Sequence, residues 1–161
     1  PVSCEWIGPE NAVWVRFGEH PQAVDWQLKN LPQADWQVLE REEEAAAWES
    51  LRVRYSSLGS IVLRIVGLPS NIHEIIQDYQ PSAWIAHSCN GIVLMATEKP
   101  ADVALIRRKH RTVIEHAPIE VRREIATFGL NEAEFELMQR MKVAFDPEGR
   151  LNPGRHVDGE R

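Results

Sequence analysis

Apolar and polar residues alternate in two separate stretches of the first half of the chain. Val13, Val15 and Phe17 alternate with Trp14 and Arg16, and Ile61, Leu63 and Ile65 alternate with Val62 and Arg64. A period of two is the mark of a strand that buries one face. Each stretch leads into a helix that starts on proline: Pro21 with Val24 and Leu28 behind it, and Pro69 with Ile72, Ile75, Ile76 and Tyr79. Proline suits the first helical turn, where its missing N–H has no partner to lose. The two stretches align at an offset of about 48 positions, with Trp36 meeting Trp84, so each reads as strand, helix, strand.

Between them, Glu42, Glu43 and Glu44 form an acidic helix start, and Ala47, Trp48, Leu51 and Tyr55 follow on one helical face. Asn90-Gly91 sits inside the apolar run from Ile85 to Met95, the strongest short signal for a hairpin. A helix over 101–111 and a strand over 112–116 come next. Residues 118–130 carry prolines and charges without a period and read as a connector, with a short helix at 121–125. Asn131 with Glu134 three positions on predicts a capped start for a last helix. Its expected buried stripe is Phe135, Met138, Met141 and Phe145, with the methionines as core filling. Asp146-Pro147 ends that helix, Gly149 allows a turn, and Asn152-Pro153-Gly154 predicts a second one. The pattern predicts an α+β fold: a duplicated ferredoxin-like antiparallel sheet with helices on one face over 1–117, then a C-terminal helix and tail over 118–161.

Composition narrows the partners. The chain has 161 residues and a net charge of −6, a balance that argues against nucleic acid and anionic membrane. The basic cluster Arg107-Arg108-Lys109-His110-Arg111 lies where a helix should end and suits the helix dipole. No stretch is long and apolar enough for a membrane span. Cys4 and Cys89 have no metal-like spacing and suit a reducing cytoplasm, the expected location. The first residue is Pro1, so the chain reads as a fragment or a processed product. It has no Gly-rich phosphate loop, no Gly-x-Ser-x-Gly and no Cys-x-x-Cys.

Two features suggest chemistry. Arg16 and Arg64 occupy equivalent mid-strand positions and point away from the helix-covered face. Arginine pairs bidentately with carboxylate or phosphate; the alternative is polar cover on a solvated sheet face. His87 lies just before the Asn90-Gly91 turn, where by itself it reads as a hydrogen-bonded strand histidine. No second histidine follows, so no metal is expected there.

The run Lys142-x-x-Phe145-Asp146-Pro147-x-Gly149-x-Leu151-Asn152-Pro153-Gly154-Arg155 is similar to the C-terminal signature of FAD-linked oxidases, the group that includes glycolate oxidase and D-lactate dehydrogenase subunits. Residues 86–93 resemble the His-x-Gly-Asn-Gly-hydrophobic segment of the accessory subunit of bacterial glycolate oxidase, with Cys89 in place of the first glycine. Catalytic members of the wider family usually carry His-x-Gly-Asp-Gly-Asn and a second His; here Asn90 and Ile92 replace the Asp and Asn. The resemblance implies a cap domain over 1–117 and a segment over 118–161 that returns to an upstream FAD-binding domain. It implies FAD in the full-length protein, not held by this fragment. It also implies other oxidase subunits as partners and a small 2-hydroxy acid such as glycolate as substrate. By position, His87 would accept the hydroxyl proton, Arg16 or Arg64 would clamp the carboxylate, and Asn152 would come near the flavin. The other reading is a binding module without chemistry that docks a partner subunit through its open sheet face.

Overall fold

The computed structural model describes residues 1–153. The turn expected at Asn152-Pro153-Gly154 leaves the described residues at Gly154. Among those residues the strands are β1 (Ser3–Gly8), β2 (Ala12–Arg16), β3 (Ile61–Val66), β4 (Trp84–His87), β5 (Ile92–Thr97) and β6 (Arg111–His116). The helices are α1 (Pro21–Lys29), α2 (Arg41–Ser56), α3 (Ile72–Tyr79), α4 (Pro100–Arg107), α5 (Ile119–Glu124) and α6 (Glu132–Phe145). The strands form one six-stranded antiparallel sheet in the order β2-β1-β4-β5-β3-β6.

The expected α+β architecture is therefore present, and its core is β3-α3-β4-β5-α4-β6. The order β4-β5-β3-β6 within this unit is that of a single ferredoxin-like βαββαβ motif. Ile61, Leu63 and Ile65 alternate onto one face of β3, where they meet Ile72 and Ile75 of α3 and Val103 and Ile106 of α4. These side chains are almost wholly buried. At about 25 cal/mol per Å² of apolar surface removed from water, such a cluster is the main stabilising term of the unit.

The sheet is covered on both faces, which corrects the expectation of helices on one. Helices α3 and α4 do share a face. Helix α2 lies on the opposite one, where Leu51 joins Ile7, Val62, Ile85, Leu94 and Ala96, with Trp14, Trp48 and Tyr55 packed alongside. Trp14 of β2 meets Trp48 of α2 edge to face at 6.0 Å. Of the segments 13–17 and 61–66, residues 13–16 and 61–66 belong to one sheet as expected, with Phe17 just outside it, but β2 lies at its edge and β3 inside it.

The internal repeat is a different one from that read in the sequence. No strand forms at Trp36, whose Nε1 instead donates to the Pro32 carbonyl in a turn. What recurs is hairpin plus helix: β1-β2-α1 and β4-β5-α4, each helix carrying proline in its first turn. The match runs from Trp6-Ile7 to Trp84-Ile85, then Asn11 to Asn90, Pro21 to Pro100 and Val24 to Val103, an offset of about 78 positions. β1 and β4 pair antiparallel with Ile7 opposite Ile85, Trp6 opposite Ala86 and Gly8 opposite Trp84. That register is a local two-fold through the Ile7–Ile85 pair. Gly8 is required by it: a Cβ there would lie 2.0 Å from the Trp84 indole.

The connector is held by Arg107, whose guanidinium donates to the carbonyls of Ala126 (2.6 Å) and Thr127 (2.9 Å). Helix α6 opens with the expected capping box: Glu134 N–H donates to Asn131 Oδ1 at 2.9 Å and Asn131 N–H to Glu134 Oε2 at 3.1 Å. The expected stripe is only half there. Phe135 and Met138 are partly covered, whereas Met141 and Phe145 are exposed, Phe145 at 80%. Among the described residues no helix is long and apolar enough to cross a membrane.

Candidate functional site

β1 and β4 place Glu5 directly opposite His87, and β2 places Trp14 opposite Glu5 on the other side. All three lie on the face that carries α2. Tyr55 of α2 stacks on the His87 ring, with centroids 5.6 Å apart and planes 11° off parallel. His87 Nδ1 is 2.8 Å from Glu5 Oε2. Ser3 Oγ donates to Glu5 Oε1 at 2.5 Å, and the Tyr55 hydroxyl is 3.4 Å from Oε2. The His87 side chain keeps 28% of its exposure, that of Glu5 only 6%.

The electrostatics follow from these donors. Burial pushes the Glu5 carboxyl up, but the hydrogen bonds from His87 and Ser3 outweigh it and hold the group below the usual glutamate range. The Tyr55 phenol is pushed well above its ordinary value, first by burial and then by the Glu5 charge beside it. Glu5 is therefore an ionised acceptor with a histidine, a serine and a tyrosine turned on it. Among the described residues no group of three His, Cys, Asp or Glu is arranged to hold a metal ion.

The two arginines share the α2 face but not a site. Three strands separate β2 from β3, so Arg16 and Arg64 sit about 19 Å apart across the sheet, from four spacings of ~4.8 Å. Arg16 Nε pairs with Glu44 of α2 at 2.8 Å, and its guanidinium carbon lies 5.5 Å from the centre of the Trp48 ring. Arg64 Nε is 3.2 Å from a Glu115 carboxylate oxygen, in a geometry that makes no hydrogen bond. Only β5 separates Arg64 on β3 from His87 on β4.

The C-terminal run closes on Asp146, which is buried although its neighbours are not. Asp146 Oδ1 accepts from Arg150 N–H (2.8 Å), and Oδ2 accepts from Leu151 N–H (2.9 Å) and from the Lys142 ammonium. Lys142 also donates to the Leu151 carbonyl at 2.6 Å. Gly149, at φ 65°, makes the turn between them. Asn152 follows in the left-handed region at φ 47°, exposed at the end of this latch. The spacing Lys-x-x-x-Asp-Pro-x-Gly-x-Leu-Asn is thus one folded unit.

The Lys142 ammonium, then the Leu151 and Arg150 N–H groups, hold Asp146 below the ordinary aspartate range. A depressed carboxyl stabilises the fold above its unfolded pKa, and that contribution is lost as pH falls through the lower folded value. The Arg150 and Leu151 amide signals should therefore shift together in an NMR titration below the ordinary aspartate range, and core amides should not. Unchanged Arg150 and Leu151 signals down to the acid limit would disprove the latch.

Glu5 escaped the sequence reading. One acid in an unremarked N-terminal stretch gives no local signal, and its partner lies on a distant strand. The recurrence of Trp-Ile, Asn and Pro at an offset of about 78 positions marks β1 and β4 as equivalent strands, but only the fold shows that they pair. No curated protein and no solved structure matches the chain. Residues 115–156, from the end of β6 through α6 and the latch, match the family described as FAD linked oxidases, C-terminal domain.

Proposed function

We propose that the chain is the cap and C-terminal region of an FAD-linked oxidoreductase subunit that acts on a 2-hydroxy acid such as glycolate. Residues 1–117 are the cap, and 118–161 return the chain to the upstream FAD-binding domain. The observation that carries the reading is the family match over 115–156, whose Lys142, Asp146, Gly149 and Leu151 form a closed structural unit. The flavin, when bound, supplies the hydride acceptor. The residue on this chain that suits contact with it is Asn152, an exposed amide with both donors and an acceptor, held out by the Asp146 latch.

His87 accepts the hydroxyl proton of the substrate, and Arg64 binds its carboxylate. Arg64 suits this better than Arg16. It is on the strand next but one to His87, and its pairing with Glu115 is a half-exposed one that a bound carboxylate can displace at little cost. Arg16 is committed to α2 through Glu44 and Trp48.

The test is anaerobic. A polypeptide carrying the upstream domain should bind FAD, and glycolate or a related 2-hydroxy acid should bleach its oxidised flavin band. The present chain alone should show no saturable FAD binding. A flavin-loaded protein that no 2-hydroxy acid reduces would reject the substrate class and favour the second reading, a non-catalytic module that docks a partner subunit. The exposed Val66 and the half-exposed Arg64 on the same face of β3 are the surface that reading would use.

A further inference from the structure

We infer that Glu5 is the positioning residue of the site: it fixes the tautomer and orientation of His87 and stabilises the imidazolium that forms when the ring takes a proton. The inference rests on the reading of His87 as proton acceptor.

The burial of Glu5 needs a reason. A carboxylate taken out of water in the middle of a sheet is costly unless donors replace the water. Here Ser3, His87 and Tyr55 all turn on one carboxylate. A structural role does not require this chemistry. The position related to Glu5 by the two-fold of the β1–β4 pair is Ala83, and the position related to His87 is Pro9. The same scaffold thus does without an acid or a histidine at the other end of the ladder.

The geometry fits the role. A neutral imidazole carries one N–H, and the bond an oxygen acceptor makes with one nitrogen decides which. With Glu5 at Nδ1, the proton sits there and Nε2 keeps its lone pair for a substrate hydroxyl. Tyr55 lies flat on the ring and restrains its rotation. Once Nε2 is protonated, the adjacent carboxylate balances the new charge. Oxygen partners of metal-ligating histidines are worth about 10–100-fold in metal affinity or activity, and a proton-accepting histidine held the same way should depend on its partner at least as much. The ionisable group that faces the pair is Tyr55 from α2; Cys4, next to Glu5 on β1, points to the opposite face of the sheet. Tyr55 stays neutral beside the Glu5 charge.

The test has two arms. In the present chain, ¹⁵N NMR of the imidazoles should show His87 as the Nδ1–H tautomer. Glu5→Gln should lower the pH at which it protonates. Ser3→Ala, which removes a donor from Glu5 without touching His87, should raise that pH. The serine variant also keeps the question open to test if Glu5→Gln fails to fold. In the flavin-loaded protein, Glu5→Gln should reduce kcat by about 10–100-fold. The acid limb of its pH profile should move to lower pH, and KM should change less than twofold. A purely structural role would lower stability without moving the acid limb. An Nε2–H tautomer, or a His87 titration unmoved by either variant, overturns the inference. Full turnover in His87→Gln overturns the acceptor reading beneath it, while the NMR arm still reports whether Glu5 holds the ring.

Discussion

Gly91→Ala is expected to cost the chain about 2–5 kcal/mol, from two terms that add. Gly91 has φ 73°, in the left-handed region, where a side chain costs about 1–2 kcal/mol. A Cβ built on it would lie 2.1 Å from the Gly67 carbonyl oxygen. That neighbour is backbone and cannot rotate away. Gly67 N–H donates to the Gly91 carbonyl at 2.9 Å, so relief of the clash also strains this bond. Overpacking of this kind costs about 1–3 kcal/mol. Against a typical domain stability of about 5–15 kcal/mol the loss is large. Urea denaturation should show a lower midpoint with an unchanged slope. Gly149→Ala is the control. Its φ is also positive, at 65°, but nothing lies within 4 Å of the added Cβ, so only the conformational term remains. Equal midpoints for the two variants would show that the contact with Gly67 carries no weight.

His87→Gln, made in the flavin-loaded protein, is expected to slow flavin reduction by about 10²–10⁴-fold, the usual worth of a positioned general base. Glutamine keeps a donor that can reach Glu5 but offers no basic nitrogen in place of Nε2. The loss should therefore fall on the chemical step. Arg64→Ala should behave differently. An arginine that holds the carboxylate in both the ground state and the transition state contributes mainly to KM, and its loss raises KM more than it lowers kcat. Stopped-flow reduction under anaerobic conditions separates the two. A His87→Gln protein reduced at the wild-type rate would remove His87 from the chemistry.

Much of the architecture was legible in local pattern. The alternation of Ile61, Leu63 and Ile65, the Asn90-Gly91 turn, the face of α2 made by Trp48, Leu51 and Tyr55, and the Asn131–Glu134 box all appear as read. These signals depend on neighbours a few residues apart. The failures concern long-range relations. Alternating residues before a proline-started helix describe β2-α1 and β3-α3 alike, so the pattern matched two segments that the fold does not relate. Helical period showed that Phe135, Met138, Met141 and Phe145 share a face of α6, but period does not say whether another element covers it. Of the candidate residues, His87 was found from the resemblance of residues 86–93 to a family segment. Its partner Glu5 was not, because their contact exists only once β1 lies against β4. The two arginines were found, but strand order, which decides that they cannot grip one ligand together, is invisible in the alternation.

The two-fold at Ile7 and Ile85 has a consequence for how asymmetry enters such a sheet. If two identical hairpins paired across that axis, every residue would occur twice, and an acid facing a histidine at one end would be matched by the same pair at the other. Two charged pairs would then be buried for the use of one. Carrying both hairpins on a single chain removes that constraint. Each copy can mutate alone, and this chain keeps glutamate from the first hairpin and histidine from the second at one end only. At the other end the related residues are Ala83 and Pro9. Neither hairpin holds the pair by itself; it arises at the seam where the two hairpins meet.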